Sequence, residues 1–254
     1  MTRMKTYLYG AIFGDILGST YEGQETKLPK CPNLTTESRF TDDTVLLLAT
    51  AHALRLQKSY AETYYEFYQR YPKIGYGTKF SEWAWFSGSE PYFSFGNGAI
   101  MRALPIGYLP FGRIWKEAKK SALPTHNHPQ GIKGARTIAV AIALLKKFQS
   151  KQLVLRFLQI AGYKWKSVTG PQGMQVTCPE TMKICARCFS ESKDFMSAVN
   201  LSIQKGGDTD TQACITGELA SCLYEIPQAV IEVVEAKLDA FLLQELKAWN
   251  QWIK

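Results

Sequence analysis

Apolar residues recur at spacings of three and four through most of the chain. The pattern is clear in Tyr7–Leu17, Val45–Leu56, Ile138–Phe148, Leu153–Ile160, Ala213–Leu223 and Val230–Leu242, and it is the period of an amphipathic α-helix. The stretches "KSYAETYYEFYQRYP", "TMKICARCFSE" and "LDAFLLQELKAWNQWIK" read the same way. Few runs alternate apolar and polar residues as a half-buried strand does. No Pro/Ser-rich linker, low-complexity block or internal repeat divides the sequence. The pattern predicts an all-α fold in one compact domain spanning residues 1–254.

Composition narrows the class. A chain of 254 residues with 46% hydrophobic content buries a substantial core and is ordinary for a globular protein. No apolar run is long enough to span a bilayer. The apolar part of "MTRMKTYLYGAIFGD" is broken by Gly14 and Asp15, and no small-residue cleavage site follows. No signal peptide, no membrane association and a cytoplasmic location are the expectation. Of six cysteines, Cys185 and Cys188 form a Cys-x-x-Cys pair with Cys178 seven residues earlier. That spacing is part of a zinc site, but the residues lie in a helical pattern and no second pair follows, so buried reduced thiols are expected. The formal charge of +8 comes from scattered Lys and Arg. It favours an anionic ligand such as a nucleotide, and it leaves a nucleic-acid target open. The aromatic residues do not interleave with basic ones in an RNA-binding signature.

Two helix starts carry more polar groups than capping requires. "FTDDTVLLLATAHAL" places Thr41, Asp42, Asp43 and Thr44 before an apolar helix, and "KGGDTDTQACITGEL" places Asp208, Asp210 and Thr211 before another. One Ser, Thr, Asp or Asn satisfies the orphan N–H groups of a first turn, and acidic residues there suit the helix dipole. If the two ends face each other, four carboxylates converge and repel. Hard divalent cations remove that cost, because carboxylate and hydroxyl oxygens suit Mg²⁺ or Mn²⁺. No His or Cys lies in either cluster, which disfavours zinc. Two carboxylate pairs suggest two metals with shared ligands. "FGDILGSTYEG" adds Asp15 and Glu22.

Glycine-rich loops are the second candidate feature. "KIGYGTKF" contains Gly75 and Gly77, and "SFGNGAIMRALPIGY" contains Gly96, Asn97 and Gly98 just before an apolar helical pattern. Such a loop either presents N–H groups to phosphate or is a plain turn that uses the freedom of glycine. His126 and His128, in "LPTHNHPQG", line a ligand pocket or open the helix that follows. His52 lies in the core or at its boundary.

Taken in order, "GAIFGDILGSTYEG", "FTDDTVLLL", "SFGNGAIMR", "THNHP" and "KGGDTDTQACITGELA" resemble the ADP-ribosylhydrolase (ADP-ribosylglycohydrolase) family over residues 8–223. The resemblance implies a compact helical fold, a binuclear Mg²⁺ or Mn²⁺ centre, and hydrolysis of the bond between ADP-ribose and a modified group. It implies metal ligands at Thr41, Asp42, Asp43, Asp208, Asp210 and Thr211, and an acidic residue on a loop over the metals at Glu22. Glu22 is then the expected catalytic acid/base, with Asp43 as the substitute. It places Gly75 and Gly77 along the distal ribose and phosphates. Ser94, Phe95, Gly96, Asn97 and Gly98 become the pyrophosphate loop, with the Phe95 ring near adenine, and His126 becomes a ligand contact. Asp15 is then a structural carboxylate behind the ligands. The implied partners are ADP-ribose and an ADP-ribosylated protein, met by a monomer. A non-catalytic ADP-ribose-binding regulator and a hydrolase of ADP-ribosylated nucleic acid, or of a free ADP-ribose derivative, are the alternatives. The segment from His128 to Asp208 is shorter than in larger family members, which bears on substrate selectivity.

Overall fold

The computed structural model describes residues 6–25, 28–88 and 90–253. Met1–Lys5, used above in reading the N-terminus, lie outside the described residues. The described residues form thirteen α-helices and no named strand. They are α1 Tyr9–Gly18, α2 Asp42–Leu56, α3 Tyr60–Arg70, α4 Thr78–Trp85, α5 Gly98–Met101, α6 Phe111–Ala122 and α7 Pro129–Phe148. They continue as α8 Lys151–Ile160, α9 Cys178–Glu191, α10 Phe195–Ile203, α11 Thr209–Ser221, α12 Gln228–Lys237 and α13 Ala240–Trp252. The all-α expectation holds. None of these helices is long and apolar enough to cross a membrane.

Local chemistry explains where the elements start and stop. Ser59, Ser150, Thr177 and Asp194 cap α3, α8, α9 and α10 with side-chain oxygens. The apolar run Val230–Leu242, expected as one helix, is two. Leu238 is extended, and Asp239 Oδ1 accepts from Leu242 N at 2.9 Å to start α13. Helices α4, α6 and α10 were not read from the sequence. In α6 only Ile114, Ala118, Ser121 and Ala122 are buried, a narrow stripe on an otherwise polar helix.

The centre of the molecule is the α1–α11 pair. Every residue of α1 is buried, as are all but the last of α11. Gly10, Gly14 and Gly18 repeat every four residues, so they share one face of α1. A Cβ on Gly14 would lie 2.1 Å from the Ala213 carbonyl oxygen, and one on Gly18 would lie 2.5 Å from that of Thr209. Three glycines thus let two backbones touch. Glu218 of α11 fixes the other end: its buried carboxylate accepts from the N–H groups of Leu8 and Ala11 at 3.1 Å and from the Tyr108 hydroxyl. It thereby serves the orphan N–H groups of the α1 N-terminus. The buried apolar side chains form one main cluster running from α1 to α13. Cys178, Cys185, Cys188 and Cys214 are buried free thiols. Cys178 Sγ donates to the Gly96 carbonyl and Cys185 Sγ to that of Gln212, so they serve packing and backbone satisfaction, as expected from sequence.

Candidate metal centre and nucleotide pocket

The contact between α1 and α11 carries Asp15 and Asp210 to the same place, and the N-terminus of α2 completes the group. Carboxylate oxygens of Asp15, Asp43 and Asp210 all lie within 4.8 Å of one another. The three are at most 5% exposed. Asp15 accepts four hydrogen bonds, from N and Oγ1 of both Thr41 and Thr44. It therefore anchors the first turn of α2. Thr41 Oγ1 donates to Asp15 at 2.7 Å and accepts from Asp43 N at 3.2 Å. One hydroxyl lone pair is left for a cation. Thr211 Oγ1 donates to Asp43 Oδ2 at 3.0 Å, while the buried Asp43 Oδ1 has no partner.

The loops around this cluster are pinned as well. Gly23 N donates to the Gly207 carbonyl at 2.8 Å, and Gly207 N to that of Gln24 at 2.9 Å. This pair holds the Glu22 loop against the turn before Asp208. Gly207 has φ +74°, and a Cβ there would lie 1.8 Å from the Gly173 carbonyl oxygen, so only glycine fits. Asn97 Nδ2 donates to Asp208 Oδ2 and to Thr181 Oγ1. Its side chain is thus engaged with the acidic cluster.

Electrostatics make the cluster unusual. Burial, then the charges of Asp42, Asp15 and Asp208, push the Asp43 carboxyl well above the ordinary range. Burial and the neighbouring Asp208 and Asp43 do the same to Asp210. Asp42 is pushed up to about 8 by burial and by Asp15 and Asp208. Glu22, exposed at the rim, is raised by partial burial and by Asp208 and Asp15, against the opposing charge of Arg39. No ion pair among the described residues neutralises Asp15, Asp42, Asp43, Asp208 or Asp210. Buried carboxylates without a countercharge are costly, and one of their oxygens is orphaned. A hard divalent cation fits this donor set.

Most of the cluster opens onto a cavity of about 450 Å³. Glu22, Asp42, Asp43, Asp208, Asp210 and Thr211 line it, together with Gly75, Gly77, Ser94, Gly96, Asn97, Gly98 and His126. Gly75, at φ +113°, sits against Asp42, where a Cβ would be 3.4 Å from Oδ1. The glycine loop is tied down by Asn97 N to the Val176 carbonyl at 2.8 Å and Cys178 N to that of Phe95 at 2.9 Å. Of the residues offered from sequence as lining the site, Thr41, Phe95 and His128 do not line the cavity; His128 opens α7, its Nδ1 accepting from Gln130 N at 3.1 Å. Thr41 faces Asp15. Phe95 is 41% exposed and packs on the His128 ring, centroids 5.0 Å apart. Sequence reasoning missed Tyr92, Arg102, Met174 and Val176, which also line it; Arg102 closes the "SFGNGAIMR" stretch, one turn of α5 after the glycine loop, and that was the available signal. A larger hollow of about 860 Å³, bounded by Lys58, Tyr60, Arg113 and Glu117, contains none of the acidic cluster.

A sequence model described as ADP-ribosylglycohydrolase matches residues 1–252. The chain belongs to the ADP-ribosylglycohydrolase family. Among its relatives is a protein of Acanthamoeba polyphaga mimivirus, "Putative ADP-ribosyl glycohydrolase L543", 25% identical over 99% of this chain and 98% of that one. Another is human "ADP-ribosylhydrolase ARH3", 24% identical over 90% of this chain and 87% of the relative. A solved structure, "ADP-ribosylglycohydrolase-related protein complex", superposes with a TM-score of 0.80 at 20% identity, covering 97% of this chain and 96% of its own. That likeness carries the fold.

Proposed function

We propose that this protein is a metal-dependent ADP-ribosylglycohydrolase that removes ADP-ribose from a mono-ADP-ribosylated substrate by hydrolysis at C1″ of the distal ribose. The observation that carries the reading is the uncompensated buried carboxylate cluster beside a cavity that Asp42, Asp43, Asp208 and Asp210 line together with a glycine loop and His126. Thr41, Asp42, Asp43, Asp208, Asp210 and Thr211 would hold two Mg²⁺ or Mn²⁺ ions, and Asp15 keeps Thr41 and Thr44 in place behind them. The metals would supply charge neutralisation and Lewis-acid polarisation of the distal ribose and the attacking water.

The protein's own groups do the rest. The Gly75 and Gly77 backbone lies along the ribose–phosphate path, the Ser94–Gly98 loop receives the pyrophosphate, and Phe95 with His128 offers ring faces to adenine at the rim. Breaking the bond from C1″ to the leaving group builds positive charge on the ribose ring, as in glycoside hydrolysis. The surrounding carboxylates stabilise that charge. Water adds its oxygen to C1″, and its proton passes to a carboxylate while the leaving group gains one. Glu22 is the proton carrier in this scheme: it is accessible, and partial burial beside Asp208 and Asp15 raises its pKa above the ordinary carboxylate range, the direction that favours a general acid/base. Asp43, with its unpartnered Oδ1, is the substitute base.

The reading takes the chain as one domain, acting as a cytoplasmic monomer on ADP-ribosylated protein. The test is incubation with mono-ADP-ribosylated Arg protein, Ser peptide, and DNA or RNA, with Mg²⁺, Mn²⁺ or chelator, followed by measurement of released ADP-ribose. Metal-dependent release from a protein or peptide is expected. Binding of ADP-ribose without release from any substrate would make the protein a reader, and release from nucleic acid alone would reassign the target.

A further inference from the structure

Arg102 is fully buried, and no carboxylate is paired with it among the described residues. Its guanidinium lies over the Tyr64 ring at 4.8 Å. One terminal nitrogen stands 2.5 Å from Thr125 Oγ1 and 2.5 Å from Nδ1 of His126. Thr125 Oγ1 is itself 2.8 Å from that Nδ1. An arginine only donates, so Nδ1 must offer its lone pair, and the ring proton must sit on Nε2. The alternative tautomer would set two donors against each other inside the core.

The Nε2 edge faces the glycine loop. A Cβ added at Gly96 or at Gly98 would each lie 3.4 Å from Nε2. No protein acceptor among the described residues takes a hydrogen bond from Nε2, and His126 lines the cavity. We infer that Arg102 is a positioning residue that fixes His126 as a neutral Nε2–H donor aimed at an anionic oxygen of the bound nucleotide. The inference rests on the proposed binding of ADP-ribose in this cavity, and it adds the reason why a lone buried arginine stands behind the histidine. Burial and the adjacent Arg102 charge hold the His126 imidazole well below its ordinary pKa, in keeping with a ring that donates without carrying charge.

Two measurements test this. The first needs no ligand: long-range ¹H–¹⁵N spectra of the labelled wild-type protein, with His126 assigned by its loss in His126→Gln. The expected pattern is a pyridine-type Nδ1 and a pyrrole-type Nε2, unchanged between about pH 5 and 8, where an ordinary histidine titrates. In Arg102→Lys the planar fork is gone and mixed tautomers should appear; the wild-type spectrum decides the matter if that variant does not fold. The second measurement is ADP-ribose affinity of His126→Gln, whose amide reaches the Nε2 position, against His126→Asn, which reaches only Nδ1. Gln should stay within a few-fold of wild type, and Asn should lose about tenfold to a hundredfold, the range for a hydrogen bond to a charged group. A pyrrole-type Nδ1, a protonated ring at neutral pH, or equal losses in Gln and Asn would overturn the inference. A wild type that shows the expected tautomer but binds no ADP-ribose would instead overturn the functional reading and the ligand half of this one.

Discussion

At the scale of single residues, the acidic cluster makes opposite demands on activity and stability. Asp43→Ala and Asp210→Ala should each abolish turnover while leaving the helical circular dichroism unchanged. In chelator the same variants should melt no lower than wild type, because each removes a like charge from a buried group. Wild-type activity in either variant under limiting Mg²⁺ would contradict the metal reading. A pH effect follows with a defined sign. The folded-state pKa of Asp42 is about 8, above the unfolded value of about 3.9. Its contribution is present below about pH 4 and is lost as pH rises toward 8. The metal-free protein should therefore become less stable over that interval, and thermal melts in chelator against Mg²⁺ should show metal removing the decline. Glu22 behaves differently because it is exposed. Glu22→Gln should slow hydrolysis by about 10²-fold or more with little change in melting temperature; a large loss of ADP-ribose affinity at unchanged turnover would instead make it a ligand-positioning group.

At the scale of elements, the site depends on how closely α1 approaches α11. Gly14 is the tightest point, since its missing Cβ would meet backbone at Ala213, and backbone cannot turn aside as a flexible side chain can. Gly14→Ala should destabilise the protein by about 1–3 kcal/mol or more, a fall of roughly 2–4 °C per kcal/mol for this size. It should also reduce activity beyond the loss of folded protein, because the displaced helices carry Asp15 and Asp210. Measuring turnover per folded molecule well below the melting point checks this. Full specific activity in a folded Gly14→Ala would show that the spacing matters only for stability.

At the scale of the whole molecule, the proposed function puts metal and nucleotide in one cavity, so the two should promote each other's binding, because linkage is reciprocal. A ligand at about 100 times its Kd stabilises the native state by roughly 2.7 kcal/mol. ADP-ribose with Mg²⁺ should then raise the melting temperature by roughly 5–10 °C, with a much smaller rise in chelator. AMP, which lacks the distal ribose, should show little metal dependence. An ADP-ribose shift identical with and without chelator would place the nucleotide away from Asp42, Asp43, Asp208 and Asp210.

Periodicity and capping act within a few residues of one another, so the helical class, most of the helix positions and the two acidic helix starts were legible along the chain. The order of five short motifs was enough to mark the family. Other features lay between segments distant in the chain. The glycine stripe of α1 reads as an ordinary apolar helix until α11 is set against it. Nothing local in the sequence marks Glu218 as the group that caps α1, some 210 residues away. Leu238 ended a helix that its apolar period continued, and Asp239 capped a new one directly after it. Asn97, read as part of a phosphate loop, became a partner of Asp208, and Arg102 acquired its meaning only when folding placed its guanidinium on Nδ1 of His126. Burial, close backbone approach and the meeting of like charges are properties of pairs of segments, and tertiary structure alone decided them.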